Sequence, residues 1–269
     1  MASSWQALMR TRSFPSSAAS LLPAVRQWLS KAGALLPGSC ALCGATGTHA
    51  MCRGCQEKFF LAARLRCRCC ALPLAKAAQA HPVCGKCLQH PPVFDATVAA
   101  TDYVAPVDQL VLGLKFGARL ALAPLFAQLL RDAMLGSTPS DTAAAMPLPE
   151  VLTAVPLGAV RLRQRGYNQA LEIARPLSTL LGVPLAVPLL IRVRDTAAQA
   201  QLSPLERRHN LRGAFTLSPQ AIAVVRGRHV GVVDDVITTG ETLNEVAATL
   251  KRFGAARVTN LVFARTLPK

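Results

Sequence analysis

The chain has 269 residues, 51% of them hydrophobic, and 30 lysines and arginines stand against 14 aspartates and glutamates, for a formal net charge of +16. That length and apolar content exclude global disorder and leave room for one large domain and one small one. The charge favours polyanionic partners without choosing among nucleic acid, phosphorylated metabolites and an anionic membrane surface.

Residues 1–35 form a basic N-terminal segment, with Arg10, Arg12, Arg26 and Lys31 and no acid. Arg26, Gln27 and Lys31 interrupt the apolar residues there, unlike the unbroken apolar block of a secretory signal. A poorly ordered start and then an amphipathic helix over 21–36 are expected, and simple packing is favoured over a membrane-surface role for that helix. The most apolar stretch, residues 177–191, contains Pro184 and Pro188 and is shorter than the ~20 residues of a transmembrane span.

Residues 36–92 hold all nine cysteines, in four pairs: Cys40 and Cys43, Cys52 and Cys55, Cys67 and Cys70, Cys84 and Cys87, with Cys69 left over. Two cysteines three apart can aim both thiolates at one zinc ion, and a structural zinc takes four ligands. Eight paired cysteines therefore make two sites, with sequential pairing favoured over crossed pairing. Cys69 is expected to be a free thiol, and His49, His81 and His90 to be solvated. With every position filled by thiolate, no site is left to activate water, so both zinc ions are structural. They supply stability that a small loop-rich segment lacks, and such a ribbon also offers a docking platform. Thiolate sites need reducing conditions, which points to the cytoplasm.

Residues 93–269 read as alternating strands and helices. A strand is expected over 98–104, helices over 107–116 and 120–134, and a loop over 136–149. A strand over 151–156 is followed by a basic loop over 158–166 and a helix from Asn168 to about Leu181. Residues 192–212 are polar and basic, and a mobile loop is expected. The apolar run 230–233 suits a buried parallel strand. A helix over 241–253, ended by Gly254, and a strand over 258–264 complete a βαβ unit and imply a parallel sheet.

The chemistry concentrates where that strand ends, in Asp234-Asp235-Val236-Ile237-Thr238-Thr239-Gly240-Glu241-Thr242. Ligands of such folds bind at the carboxyl edge of the sheet. Asp234 and Asp235 would be poor core residues there but good acceptors for the 2- and 3-hydroxyls of a ribose. Thr238, Thr239 and Thr242 bring hydroxyls, Gly240 allows close backbone approach, and the helix that starts at Glu241 presents free N–H groups to a 5-phosphate. The competing reading is an ordinary capped helix after a strand.

This segment resembles the phosphoribosyltransferase signature of four apolar residues, two acids, two variable residues, two Thr or Ser, Gly, one variable residue and Thr, and matches it throughout. The similarity extends to 161–169, to Arg194-Asp195-Thr196 with Gln199 and Leu202, to Arg207, Asn210 and Gly213-Ala214-Phe215, and to Leu114-Lys115-Phe116-Gly117. Together with the cysteine pairs, these resemble the ComF (late competence, GntX-like) family over about residues 36–265. The resemblance implies an α/β, type I phosphoribosyltransferase fold behind a small double zinc ribbon, and a role in DNA uptake, natural competence or use of external DNA. It also implies a loop that grips pyrophosphate, onto which Arg161, Arg163 and Arg165 map, with Lys115 in the family's Lys-aromatic segment. Alternate spacing would throw the three guanidiniums to one side of an extended segment, where forked donors suit phosphate oxygens.

If the chain is an enzyme, it transfers a phosphoribosyl group from 5-phosphoribosyl 1-diphosphate, with magnesium bridging pyrophosphate and ribose hydroxyls. Asp234 and Asp235 then stabilise an oxocarbenium-like centre and the arginines the departing pyrophosphate. The rival reading is a non-catalytic component of the transformation machinery that binds single-stranded DNA or docks DNA-uptake and recombination proteins. Residues 151–228 contain eleven arginines and no lysine, and Tyr167 and Phe215 are candidates for base stacking or for ordinary packing. A third reading is a zinc-dependent interaction module with a vestigial pocket.

Overall fold

The computed structural model describes residues 38–60, 64–75, 78, 81–136, 147–194 and 213–268. The expected amphipathic helix at 21–36 and most of the polar stretch at 192–212 lie outside them.

The cysteine segment is built from short pieces. Strands β1 (Gly38–Ser39) and β2 (Thr46–Gly47) pair antiparallel, helix α1 (Arg53–Phe59) starts just after Cys52, and helix α2 (Gly85–Gln89) starts just after Cys84. None of these could bury a core of its own. They lean on the larger domain: Cys40, Met51 and Cys55 join one of its apolar clusters, and Ala71 joins the other.

The larger domain is a four-stranded parallel sheet in the order β3 (Ala96–Asp102), β8 (Arg257–Arg265), β7 (His229–Ile237), β4 (Val151–Ala154). Both faces are covered, which is why β7 and β8 are buried almost without alternation. On one face lie α3 (Asp108–Phe116), α4 (Leu122–Leu135) and α6 (Gln169–Leu181). In α4 the buried residues Leu122, Leu125, Phe126, Leu129 and Leu130 recur at helical spacing, and the Phe126 ring stacks on Phe263 of β8 with centroids 3.5 Å apart. Asn168 caps α6, its Oδ1 accepting the Ala170 N–H at 3.0 Å while its Nδ2 donates to the Val155 carbonyl. The other face carries the hairpin of β5 (Leu190–Arg192) and β6 (Phe215–Leu217), the short α7 (Ala221–Val225) and α8 (Glu241–Arg252). Leu243, Val246, Ala247 and Leu250 form the buried stripe of α8.

Gly231 fits the centre of this packing for a steric reason. A Cβ there would stand 2.5 Å from Leu152 Cδ2 and 2.8 Å from Pro149 Cγ. Leu152 is fully buried and has nowhere to go, so a side chain at 231 would push β4 off β7.

Two expectations change. Residues 158–166, expected as a loop, contain helix α5 (Ala159–Arg165). Its residues are mostly good helix formers, and Gly166 closes it at φ +80°; charge density had masked propensity. The strand expected over 230–233 runs on to Ile237, because pairing with β8 continues to Ile237 and Arg265. The two aspartates therefore lie on the strand itself.

Candidate functional site

A cavity of about 600 Å3 opens at the carboxyl end of β7 and β4, walled by α3, α5 and the turn into α8. Asp234 and Asp235 form its floor. The Asp235 side chain is 4% exposed, with Oδ1 accepting the Val236 N–H at 2.8 Å and Oδ2 facing Lys115 Nζ at 2.9 Å. The lysine approaches as an ion pair without hydrogen-bond direction, so an acceptor position on that buried oxygen stays unfilled. Asp234 is half-buried, and its Oδ1 accepts the Asp235 N–H at 2.9 Å. Burial above all, and then the neighbouring Asp235 carboxylate, push the Asp234 carboxyl up to about 8, against the pull of Lys115.

The turn after β7 supplies hydroxyls and backbone donors. Thr238 and Thr242 line the cavity. Gly240 takes φ +87° as the residue before α8, a conformation that strains any side chain, while the space around it is ordinary. Among the described residues no side chain of the N-cap position caps α8, and the Glu241 N–H donates to Thr239 Oγ1 at a long 3.5 Å. The start of α8 therefore presents polarised N–H groups at the cavity rim.

The wall that α5 supplies is basic. Helical geometry puts Arg161 and Arg165 on one face and Arg163 on another, so the first two line the cavity and Arg163 is exposed away from it. Arg165 bonds the side chain of buried Gln169 and lies 5.3 Å over the Phe116 ring. Tyr167 is a wall residue whose hydroxyl bonds the Leu114 carbonyl, and Phe215 is buried and offers no free face. Phe116 does: it is 74% exposed at the cavity.

Of the residues singled out from the sequence, Lys115, Arg161, Arg165, Asp234, Asp235, Thr238 and Thr242 meet around one cavity, whereas Arg163, Thr239, Gly240 and Glu241 do not line it. Phe116, Gln164, Gln169 and Arg192 are wall residues that the sequence left without a task, although the first three fall within its family-like stretches.

The cysteines gather as two sequential sets, Cys40, Cys43, Cys52, Cys55 and Cys67, Cys70, Cys84, Cys87, with all sulfurs of a set within 4.8 Å of one another. Four soft thiol donors at that spacing fit tetrahedral zinc with no open position. Burial opposes ionisation of Cys40 most, but N–H donors of Cys43, Cys52 and Leu42 together outweigh it and lower that thiol to about 6. Cys69 lies outside both sets. No helix among the described residues is long and apolar enough to cross a membrane.

Arg265, at the end of β8, escaped the sequence reading. It is buried beneath the β7–α8 turn and donates to carbonyls on both sides of it.

Comparison with known proteins agrees with this layout. The family model of the phosphoribosyl transferase domain matches residues 167–267, and that of the double zinc ribbon domain matches residues 32–88. The chain is 38% identical to the DNA utilization protein YhgH of Salmonella typhi over 237 residues, covering 86% of this chain and 99% of that protein. It is 37% identical to the DNA utilization protein YhgH of Escherichia coli (strain K12) over 235 residues, with the same 86% and 99% shares. Competence protein F of Haemophilus influenzae is 34% identical over 210 residues, 78% of this chain and 88% of that protein.

Proposed function

The chain belongs to the ComF/GntX family of double-zinc-ribbon, phosphoribosyltransferase-type proteins, and on that footing we propose that its cleft binds 5-phosphoribosyl 1-diphosphate, or a ribose 5-phosphate group, in the service of DNA uptake or the use of external DNA. The observation that carries this reading is the meeting of hydroxyl, carboxylate and guanidinium groups around one cavity. Thr238, Thr242, Asp234, Asp235, Arg161 and Arg165 all line it.

Each part has a task in such a complex. The threonine hydroxyls and N–H groups take the 5-phosphate. The aspartates at the floor accept the ribose hydroxyls. Arg161 and Arg165 take the pyrophosphate with forked donors. Lys115 holds the Asp235 carboxylate in place. Carboxylate oxygens also suit magnesium, whose contribution when bound with the diphosphate is to neutralise the leaving group's charge. Where a phosphoribosyl group is transferred, positive charge develops at the sugar over Asp234 and Asp235, and these residues stabilise it in place without reorganisation. The thiolate tetrads favour a reducing compartment, in keeping with a cytoplasmic protein.

Calorimetric titration with 5-phosphoribosyl 1-diphosphate and magnesium tests this reading. Saturable heat that Asp235→Asn abolishes is expected; no heat at millimolar ligand contradicts it.

The exposed Phe116 ring beside Arg165 favours a second reading, in which a single strand lays a base on Phe116 and its phosphates along Arg161, Arg165 and Arg192. Such binding weakens steeply with salt and loses affinity in Phe116→Ala. Titration of a labelled oligonucleotide across a salt series tests it, and a flat salt response contradicts it.

A further inference from the structure

Arg265 connects two parts of the chain that otherwise have separate tasks. It is 8% exposed and lies outside the cavity wall. Its Nη1 donates to the carbonyls of Ile237, at 3.1 Å, and Thr238, and to O and Oγ1 of Thr266 at 2.9 and 3.3 Å. Its Nε donates to the carbonyl of Cys70 at 3.0 Å. Cys70 belongs to the second cysteine tetrad. One guanidinium thus grips the first carbonyls of the phosphate-loop turn with one nitrogen and a metal ligand's own backbone with another.

The consequence for the turn follows from the peptide plane. In a trans peptide the C=O and the following N–H point in opposite directions. The Ile237 carbonyl, which also accepts the Thr266 N–H at 3.0 Å, and the Thr238 carbonyl both point at Arg265, so the N–H groups of Thr238 and Thr239 point away from it. Among the described residues neither N–H has a hydrogen-bond partner of its own. Donors held in a fixed direction and left unpaired are what an anion needs.

The other end of the link is also fixed. Ala71, next to Cys70, is fully buried at φ +58° in the same apolar cluster as Ile237 and Leu243. Its carbonyl accepts from Arg66 Nη1 at 3.0 Å, and Arg66 and Arg64 both hold Asp102 at the end of β3, at 2.7 and 2.6 Å. The backbone N–H of Thr97 donates to the Arg68 carbonyl at 3.1 Å. The second cysteine turn is thereby part of the floor under the sheet edge. Among the described residues the first tetrad has no hydrogen bond to the β7–α8 turn: Cys40 and Cys55 pack with the helices of the opposite face.

We infer that Arg265 is a positioning residue that couples the second cysteine tetrad to the phosphate loop, so that metal held by Cys67, Cys70, Cys84 and Cys87 and anion bound at Thr238–Thr242 stabilise one another. The ligand half of this statement rests on the phosphoribosyl reading. The loop half does not. Coupling of this kind is reciprocal: whatever factor the metal adds to anion affinity, the anion adds to metal affinity.

The test uses the full chain and two separate readouts. In the first, hydrogen exchange of the Thr266 and Asn244 amides, which are bonded to the Ile237 and Gly240 carbonyls of the turn, is compared in zinc-loaded wild type, Cys84→Ser, Cys52→Ser and Arg265→Lys, with zinc content measured in each. Exchange about tenfold faster in Cys84→Ser and Arg265→Lys, and unchanged in Cys52→Ser, is expected for a coupling of ordinary size. Equal exchange in all four proteins, or an equal rise in both cysteine variants, overturns the inference. Should Cys84→Ser fail to fold, Arg265→Lys with both zinc ions retained still decides it. A lysine keeps the charge but cannot span Cys70 and the turn with forked donors. In the second readout, 5-phosphoribosyl 1-diphosphate with magnesium is added while a chromophoric chelator strips zinc. The ligand should slow the loss of one zinc ion in wild type and of neither in Arg265→Lys. Ligand that binds yet protects no zinc overturns the coupling and spares the phosphoribosyl reading. Ligand that fails to bind wild type overturns that reading, and the exchange measurement decides the coupling alone.

Discussion

Lys115 Nζ stands 2.9 Å from Oδ2 of Asp235, joining the last turn of α3 to the end of β7. The carboxylate is 4% exposed and the lysine 24%, so the pair is largely out of water. Lys115→Met leaves a buried charge without its partner, at a cost of roughly 3 kcal/mol. Urea unfolding should show that loss for Lys115→Met, and a smaller one when the same substitution is made in Asp235→Asn. Equal losses in both backgrounds would mean that Lys115 acts by packing alone.

Asp234 gives the fold a pH dependence of its own. Its folded carboxyl, pushed up to about 8, lies above the ordinary unfolded value of about 3.9. Between those values the folded chain holds a proton that the unfolded chain has released, so stability falls as pH rises. The contribution is full below about 4 and is lost as pH passes through about 8. In Asp234→Asn that slope should vanish, as read from urea midpoints at pH 5, 6.5 and 8; a slope that survives assigns it to other groups. A ligand that needs the Asp234 carboxylate releases that proton on binding, and its affinity should rise with pH over the same range.

The arginines of α5 separate by helix face. Arg161→Ala and Arg165→Ala should each weaken phosphoribosyl diphosphate binding by about 1.5–3 kcal/mol, the worth of a hydrogen bond to a charged group. Arg163→Ala, facing away, should bind as wild type. A loss in Arg163→Ala equal to the other two would place the ligand outside the cavity.

What the sequence made legible was chemistry carried by neighbours in the chain. The run from Asp234 to Thr242 sits on consecutive residues, and its strand–turn–helix setting follows from local pattern. The cysteine pairs were legible for the same reason. What stayed hidden depends on conformation or on distance along the chain. The set of arginines changed when 158–166 proved helical, because a period of 3.6 instead of 2 sends Arg163 to the other side. Arg265 lies 28 residues beyond Ile237 and 195 beyond Cys70, and no local signal marks it apart from a charged residue closing an apolar strand. Phe116 falls in the Lys-aromatic segment that the sequence marks, but its 74% exposure depends on the fold around it.

The cysteine sets make a direct prediction about metal. Wild type should carry two zinc ions per chain, Cys70→Ser one and Cys69→Ser two, by elemental analysis of the purified proteins. One zinc ion in Cys69→Ser would make Cys69 a ligand and redraw the second set.

Thermal unfolding of the zinc-loaded protein, with and without 5-phosphoribosyl 1-diphosphate and magnesium, bears most directly on the cleft. Ligand at about 100 times its Kd adds ~2.7 kcal/mol, a rise in Tm of roughly 5–10 °C for a chain of this size. That rise should persist in Arg163→Ala and disappear in Asp235→Asn. An unchanged Tm in the wild type would contradict a phosphoribosyl site at Asp234–Thr242.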